Sequence, residues 1–193
     1  VTDTLEIEQE KGITIKLQVA KIPWKDYELN FIDTPGHVDF SYEVSRSLAA
    51  CESAILLIDA QQGIQAQTIS NTQKALELDL KLIPVLNKID LPGVNIKQKL
   101  EEIESYLGFK EDEVIQVSGR TGQNIEKLLD EIVKQTPPPK GNQKANFRGL
   151  IFDSFYDEHR GVVLSVRIFD GEIDKKVEEL HLLRKKTSFK PTE

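Results

Sequence analysis

The chain has 193 residues, enough for one α/β domain and part of another. It is 39% hydrophobic and 30% charged, the balance of a globular protein, and its net charge of -7 disfavours a sequence-independent grip on DNA while leaving local basic contacts to RNA open. The single cysteine, Cys51, rules out an internal disulfide and fits a reducing compartment. Following Leu48-Ala49-Ala50, it reads as a small buried residue rather than a reactive thiol. No apolar run approaches the ~20 residues of a membrane span, and no signal peptide is expected. The chain opens on Val1 and contains no methionine. It therefore reads as an internal piece of a longer protein, cut at both ends.

Residues 13–19 alternate apolar with polar and predict a strand, and residues 29–32 predict a second, with Pro23 and Lys25-Asp26 near the turn between them. Residues 38–51 have helical spacing. The run Ala54-Ile55-Leu56-Leu57-Ile58 predicts a strand buried on both faces. A helix follows over 65–78, then a buried strand over 82–86 against which Pro84 counts, since proline lacks a ladder donor. Residues 96–107 form an amphipathic helix that stops at Gly108, with the charges of 97–104 on its solvated face. A short strand at 114–117 and a helix at 125–133 complete the pattern. This alternation with short connections predicts a parallel sheet with helices on both faces. Beyond the stiff linker Pro137-Pro138-Pro139-Lys140-Gly141 the rhythm turns to β, with strands at 149–155 and 161–169 and a hairpin turn at Asp170-Gly171. The basic triplet Arg184-Lys185-Lys186 fits an RNA contact or a solvent-facing strand end equally.

Three segments carry chemistry, each just past the end of a predicted strand, where open α/β sheets bind ligands. In Asp33-Thr34-Pro35-Gly36-His37, an aspartate ending a strand can hold Mg²⁺ through water, and Gly36 lets a backbone N–H approach a phosphate. His37 can orient a water in line with a γ-phosphate, although a lone histidine is more often structural. In Asn87-Lys88-Ile89-Asp90, the aspartate can accept two parallel hydrogen bonds from guanine N1–H and N2–H₂, a donor pair that adenine lacks. Asn87 can bond the purine and tie loops together, and the stem of Lys88 can lie along one face of the base. The same four residues also fit an ordinary capped strand-to-helix loop. Backbone N–H groups of Ser118-Gly119-Arg120 can meet guanine O6, and Arg120 can cover the other face or be solvated; alone, this is a glycine turn. Thr14 can offer its hydroxyl to Mg²⁺ from a loop ordered only by a triphosphate, or can be a strand-edge threonine.

Together these segments resemble the translational GTPases. The stretch Asp39-Phe40-Ser41-Tyr42-Glu43-Val44-Ser45-Arg46-Ser47-Leu48-Ala49-Ala50-Cys51-Glu52, with Tyr156-Asp157-Glu158-His159-Arg160-Gly161-Val162-Val163, is similar to the elongation factor 4 (LepA) family rather than to elongation factor G or the BipA/TypA group. The resemblance runs to about Asp170. It implies an α/β P-loop GTPase G domain over 1–136, lacking its first strand, P-loop and helix, then a linker over 137–146 and the start of a β-barrel domain over 147–193. It implies GTP/GDP and Mg²⁺ as cofactors, with Thr14 and Asp33 serving the metal, Gly36 the γ-phosphate and His37 the water. Asn87, Lys88, Asp90, Ser118, Gly119 and Arg120 are then the base site. The implied partner is the ribosome, its RNA and proteins, without DNA, for a cytoplasmic monomer; some family members associate peripherally with the bacterial inner membrane.

Gln9 stands where the family usually has an arginine, and Gly119-Arg120 replaces the more usual Ala-Lys. The match weakens after Asp174. No G-x-x-x-x-G-K-[ST] occurs in the chain. These 193 residues alone are therefore expected to bind GTP very weakly, hydrolyse none and fold poorly, because a lost central strand leaves unpaired edges. The competing readings are another translational GTPase and a nucleotide-binding regulatory or scaffold protein without turnover.

Overall fold

The computed structural model describes residues 17–34, 41–174 and 179–191. Strands β1 (Gln18–Trp24) and β2 (Tyr27–Asp33) form an antiparallel hairpin closed by Lys25-Asp26. Lys25 takes the left-handed conformation (φ 54) that such a two-residue turn requires. The turn sets the register, so every residue back to Gln18 finds a partner and the strand runs five residues beyond the expected end at Val19. Pro23 thus lies within β1, opposite Glu28, and is tolerated because among the described residues β1 has a neighbour on one side only. Residues 13–16 of the expected strand lie outside the described residues.

Helix α1 (Ser41–Leu48) is shorter than the expected 38–51; residues 38–40 lie outside the described residues. Its last turn tightens, with Ala50 N–H donating to Ser47 O (3.0 Å) and Cys51 N–H to Leu48 O (3.1 Å).

The parallel part of the fold is β3 (Ser53–Asp59), β4 (Lys81–Asn87) and β5 (Ile115–Gln116), in that spatial order. Helix α2 (Ala66–Glu77) connects β3 to β4; α3 (Ile96–Leu107) and a 3₁₀ turn (Glu111–Glu113) connect β4 to β5; α4 (Ile125–Gln135) follows. Alternation along the strands puts helices on both faces, as expected. On one face Leu56, Ile58 and Leu86 pack on Leu100 and Ile103 of α3. On the other, Ile83, Val85, Ile115 and Val117 pack on Ile132 of α4, with Leu29 and Phe31 of β2 joining the same cluster. Helix α3 starts where the Asn95 side chain accepts from Gln98 N–H (3.2 Å) and stops at left-handed Gly108 (φ 77), as the sequence indicates.

One expectation needs correction here, and one holds despite its proline. Strand β3 is not buried on both faces: Leu57 is 59% exposed, because among the described residues β3 has a hydrogen-bonded neighbour only on the β4 side. Pro84 does sit in a central strand. Leu86 O accepts from Val117 N–H on the β5 side, so by alternation Pro84 points its donorless nitrogen the same way, ahead of the first β5 pair, Val85 with Ile115. No ladder bond is lost there.

After the linker, β6 (Arg148–Asp157) and β7 (Gly161–Asp170) form an antiparallel ribbon with irregular register near Phe152. Its turn is 158–160, where Asp157 Oδ1 accepts from His159 N–H (2.8 Å) and Arg160 N–H (2.9 Å). The expected hairpin turn at Asp170-Gly171 comes after β7, and among the described residues no later strand pairs with β7 across it. Asp170 instead fastens the linker, accepting from Asn142 N–H (2.9 Å) and Arg148 Nε (2.7 Å). Gly171 (φ 69) is needed because a Cβ would stand 2.6 Å from Phe147 N. A last hairpin, β8 (Leu180–Leu182) with β9 (Thr187–Phe189), places Arg184-Lys185-Lys186 in its turn rather than at a strand end.

The ribbon meets α1. Arg46 donates to Ile151 O (3.2 Å), Phe152 shares a cluster with Leu17 and Ala50, and Arg167 pairs with Glu52. Cys51, half-buried beside this contact, has its thiol pushed up to about 11 by burial and by the Glu52 carboxylate, against the opposing pull of Arg167.

Candidate functional site

The parallel register ends with Asp59 beside Asn87, so two polar side chains leave adjacent strands at the same rim. Asn87 Oδ1 accepts from Lys88 N–H (2.8 Å) and from Gly119 N–H (3.0 Å), tying the loop after β4 to the loop after β5. Backbone bonds reinforce the tie: Ala60 N–H to Asn87 O (2.9 Å), and Ile89 N–H to Val117 O (3.3 Å).

Ser118 is fully buried, with 0% exposure. Its hydroxyl donates to Asp90 Oδ1 (2.7 Å) and accepts from Thr121 N–H (3.1 Å). The other Asp90 oxygen lies 3.8 Å from Nε of Arg120, whose side chain is 81% exposed. The Asp90 carboxylate is thus held in a set orientation, with acceptor capacity beyond the single serine bond. This is the donor–acceptor set a guanine edge needs: a fixed carboxylate facing two N–H groups.

Lys88 sits in the left-handed region (φ 66), unusual for a residue with a Cβ. Its ammonium pairs with Asp59 Oδ2 at 2.6 Å. Asp59 Oδ1 accepts from Gln61 N–H (2.7 Å) and Gln62 N–H (3.3 Å). Burial pushes the Asp59 carboxyl up, but the bond from Lys88 and the two backbone donors outweigh it, and the pKa ends below its ordinary 3.8. The stability these contacts give is present above pH 3.8 and is lost as the pH falls through the lower folded value.

The structure therefore brings Asn87, Lys88, Asp90, Ser118, Gly119 and Arg120 together at one rim. Asp33 is the last residue of β2, in the separate antiparallel pair, and ends its strand as expected. Thr14, Gly36 and His37 lie outside the described residues. Among the described residues no group of three His, Cys, Asp or Glu side chains could hold a metal. Two of the backbone donors assigned to guanine O6 are engaged within the protein. Ser118 N–H donates to Gln123 O (3.1 Å) and Gly119 N–H to Asn87, so a base would share the latter bond. Sequence reasoning missed Asp59, although the rule that singled out Asp33, a carboxylate ending an apolar strand, applies to it equally.

Residues 1–138 match the family described as the elongation factor Tu GTP binding domain, and the chain belongs to that family. It is 52% identical over 195 residues to elongation factor 4 of Bifidobacterium animalis subsp. lactis, covering 99% of this chain and 31% of that protein. It is also 52% identical over 176 residues to elongation factor 4 of Thermotoga maritima, covering 89% and 28%. The chain spans about a third of the length of these relatives. Among solved structures, a bacterial selenocysteine-specific elongation factor superposes with a TM-score of 0.80 at 27% identity, over 98% of this chain and 34% of that one. The elongation factor SelB of Methanococcus maripaludis, solved with a GTP analogue, gives 0.74 at 22% identity, over 92% and 40%, a likeness of fold. The architecture is that of a translational GTPase G domain. Among the described residues no helix is long and apolar enough to cross a membrane.

Proposed function

We propose that the protein to which these residues belong is a cytoplasmic GTPase of the elongation factor 4 type, acting on the ribosome, and that the rim around Asp90 reads its guanine base. Residues 1–136 form the nucleotide-binding unit, 137–146 the linker, and 147–193 the first part of a β-barrel domain. The observation that carries this reading is the Asp90 carboxylate held by buried Ser118, with Asn87 clamping the neighbouring loop. A base lacking the N1–H and N2–H₂ pair would leave that carboxylate under-bonded, which costs orders of magnitude in affinity.

In the same proposal Asp33 and Thr14 hold Mg²⁺, which supplies charge neutralisation at the phosphates. Gly36 offers its N–H to the γ-phosphate, and His37 orients the attacking water. The similarity to proteins named elongation factor 4 supports GTP hydrolysis coupled to translation.

The test compares GDP with IDP, which lacks the exocyclic amine, in the full-length protein. Wild type is expected to prefer GDP by about 10-fold or more, and Asp90→Ala to weaken GDP by about 100-fold and erase most of the preference. Equal binding of GDP and IDP by the wild type, or unchanged GDP affinity in Asp90→Ala, overturns the reading.

A further inference from the structure

Asp59 belongs to none of the three segments that point to a nucleotide, yet its carboxylate holds one of their members. We propose that Asp59 is a positioning residue that pre-orders the Lys88 stem as one wall of the base site. The inference rests on the guanine reading above and extends it to a residue on a neighbouring strand.

The Lys88 side chain carries rotamer entropy that a base stacking on its stem would have to freeze. Its left-handed backbone (φ 66) is also unfavourable for a residue with a Cβ, and such strain persists only where surrounding contacts over-determine it. Two contacts do so: Asn87 Oδ1 takes its N–H and Asp59 Oδ2 takes its ammonium at 2.6 Å. Asp59 is itself fixed by the N–H groups of Gln61 and Gln62 on its other oxygen, and only 18% of its side chain is exposed. The pair joins residues that leave neighbouring strands in register, so the anchor is as rigid as the sheet. Binding a base then costs less ordering, because the lysine stem already lies across the rim.

Asp59→Asn separates this role from a structural one. The amide oxygen still accepts from Gln61 and Gln62, while the ion pair with Lys88 is gone. In the full-length protein, with a fluorescent GDP, we expect about 5- to 10-fold weaker binding, carried by faster dissociation, and an unchanged hydrolysis rate of bound GTP. In a Lys88→Ala background Asp59→Asn should change affinity by less than about 2-fold. Asp59→Glu, which keeps the charge, should recover part of the loss. Unchanged or tighter binding in Asp59→Asn, or an equal loss in the Lys88→Ala background, overturns the proposal. Asp90→Ala serves as the control. If it weakens GDP while Asp59→Asn does not, only this inference falls; if it too leaves GDP unchanged, the guanine reading falls.

Discussion

The parallel unit, β3 to α4, and the β6–β7 ribbon are built on opposite terms. In the first, Ile83, Val85, Leu86 and Ile103 are all 0% exposed, and both sheet faces are covered by helices. In the second, Phe152 is the buried hydrophobic residue of the ribbon, while Tyr156 is 75% and Val162 69% exposed. The ribbon is held instead by polar contacts at its ends and at α1: Asp170 with Arg148 and Asn142, Arg46 with Ile151 O, and Arg167 with Glu52. Apolar burial is spent where loops must be held rigid, and the candidate rim grows out of the buried strands. A rim whose side chains bond one another and neighbouring backbone N–H groups at 2.7–3.1 Å needs strand ends that do not move.

Substitutions that strike the two regions unequally test this contrast. The largest effect is expected from Ile83→Ala, at about 2–5 kcal/mol in urea unfolding of the full-length protein. A loss under about 1 kcal/mol would mean the parallel unit is not the stable one. Next comes Cys51 at the contact between the regions. With its thiol raised from 9.0 to about 11, the folded protein should hold about 100-fold less thiolate at pH 8 and react with iodoacetamide correspondingly slower than a denatured control. The sign for stability follows: the contribution is full below pH 9 and fades as the pH rises toward 11. Equal reaction rates would show that the α1–ribbon contact does not shield the thiol.

Ser118→Ala strands Asp90 Oδ1 and the Thr121 N–H, and should weaken GDP by about 10- to 100-fold, read by nucleotide titration. Arg46→Ala removes one bond across to β6 and should cost about 1 kcal/mol. Val162→Ala, on the open ribbon, should fall within about 0.5 kcal/mol; a cost matching that of Ile83→Ala would erase the distinction altogether.

Much of the parallel unit was legible in the sequence because its signals are local. The apolar runs at 54–58 and 82–86 mark β3 and β4, Asn95 and Gly108 bound α3, and the loops carrying Asn87, Asp90 and Ser118 follow their strands directly. The candidate site was legible for the same reason: each half is a short motif with its own chemistry, and the structure brings the two halves to one rim. The ribbon was harder. Asp170-Gly171 has the composition of a hairpin turn, but the Asp170 carboxylate is taken by Asn142 N–H and Arg148, 28 and 22 residues away, which no local pattern announces.

By itself, then, the amino-acid order determined the sequence of strands and helices and the chemistry at the ends of β4 and β5, since periodicity and turn residues act within a few positions of one another. Only the tertiary structure decided that Leu57 is left open, that Lys88 reaches Asp59, and that Arg46 of α1 and Glu52 just before β3 reach β6 and β7 across 105 and 115 residues. Those contacts depend on which surfaces the packed sheet brings face to face, and no local pattern carries that information.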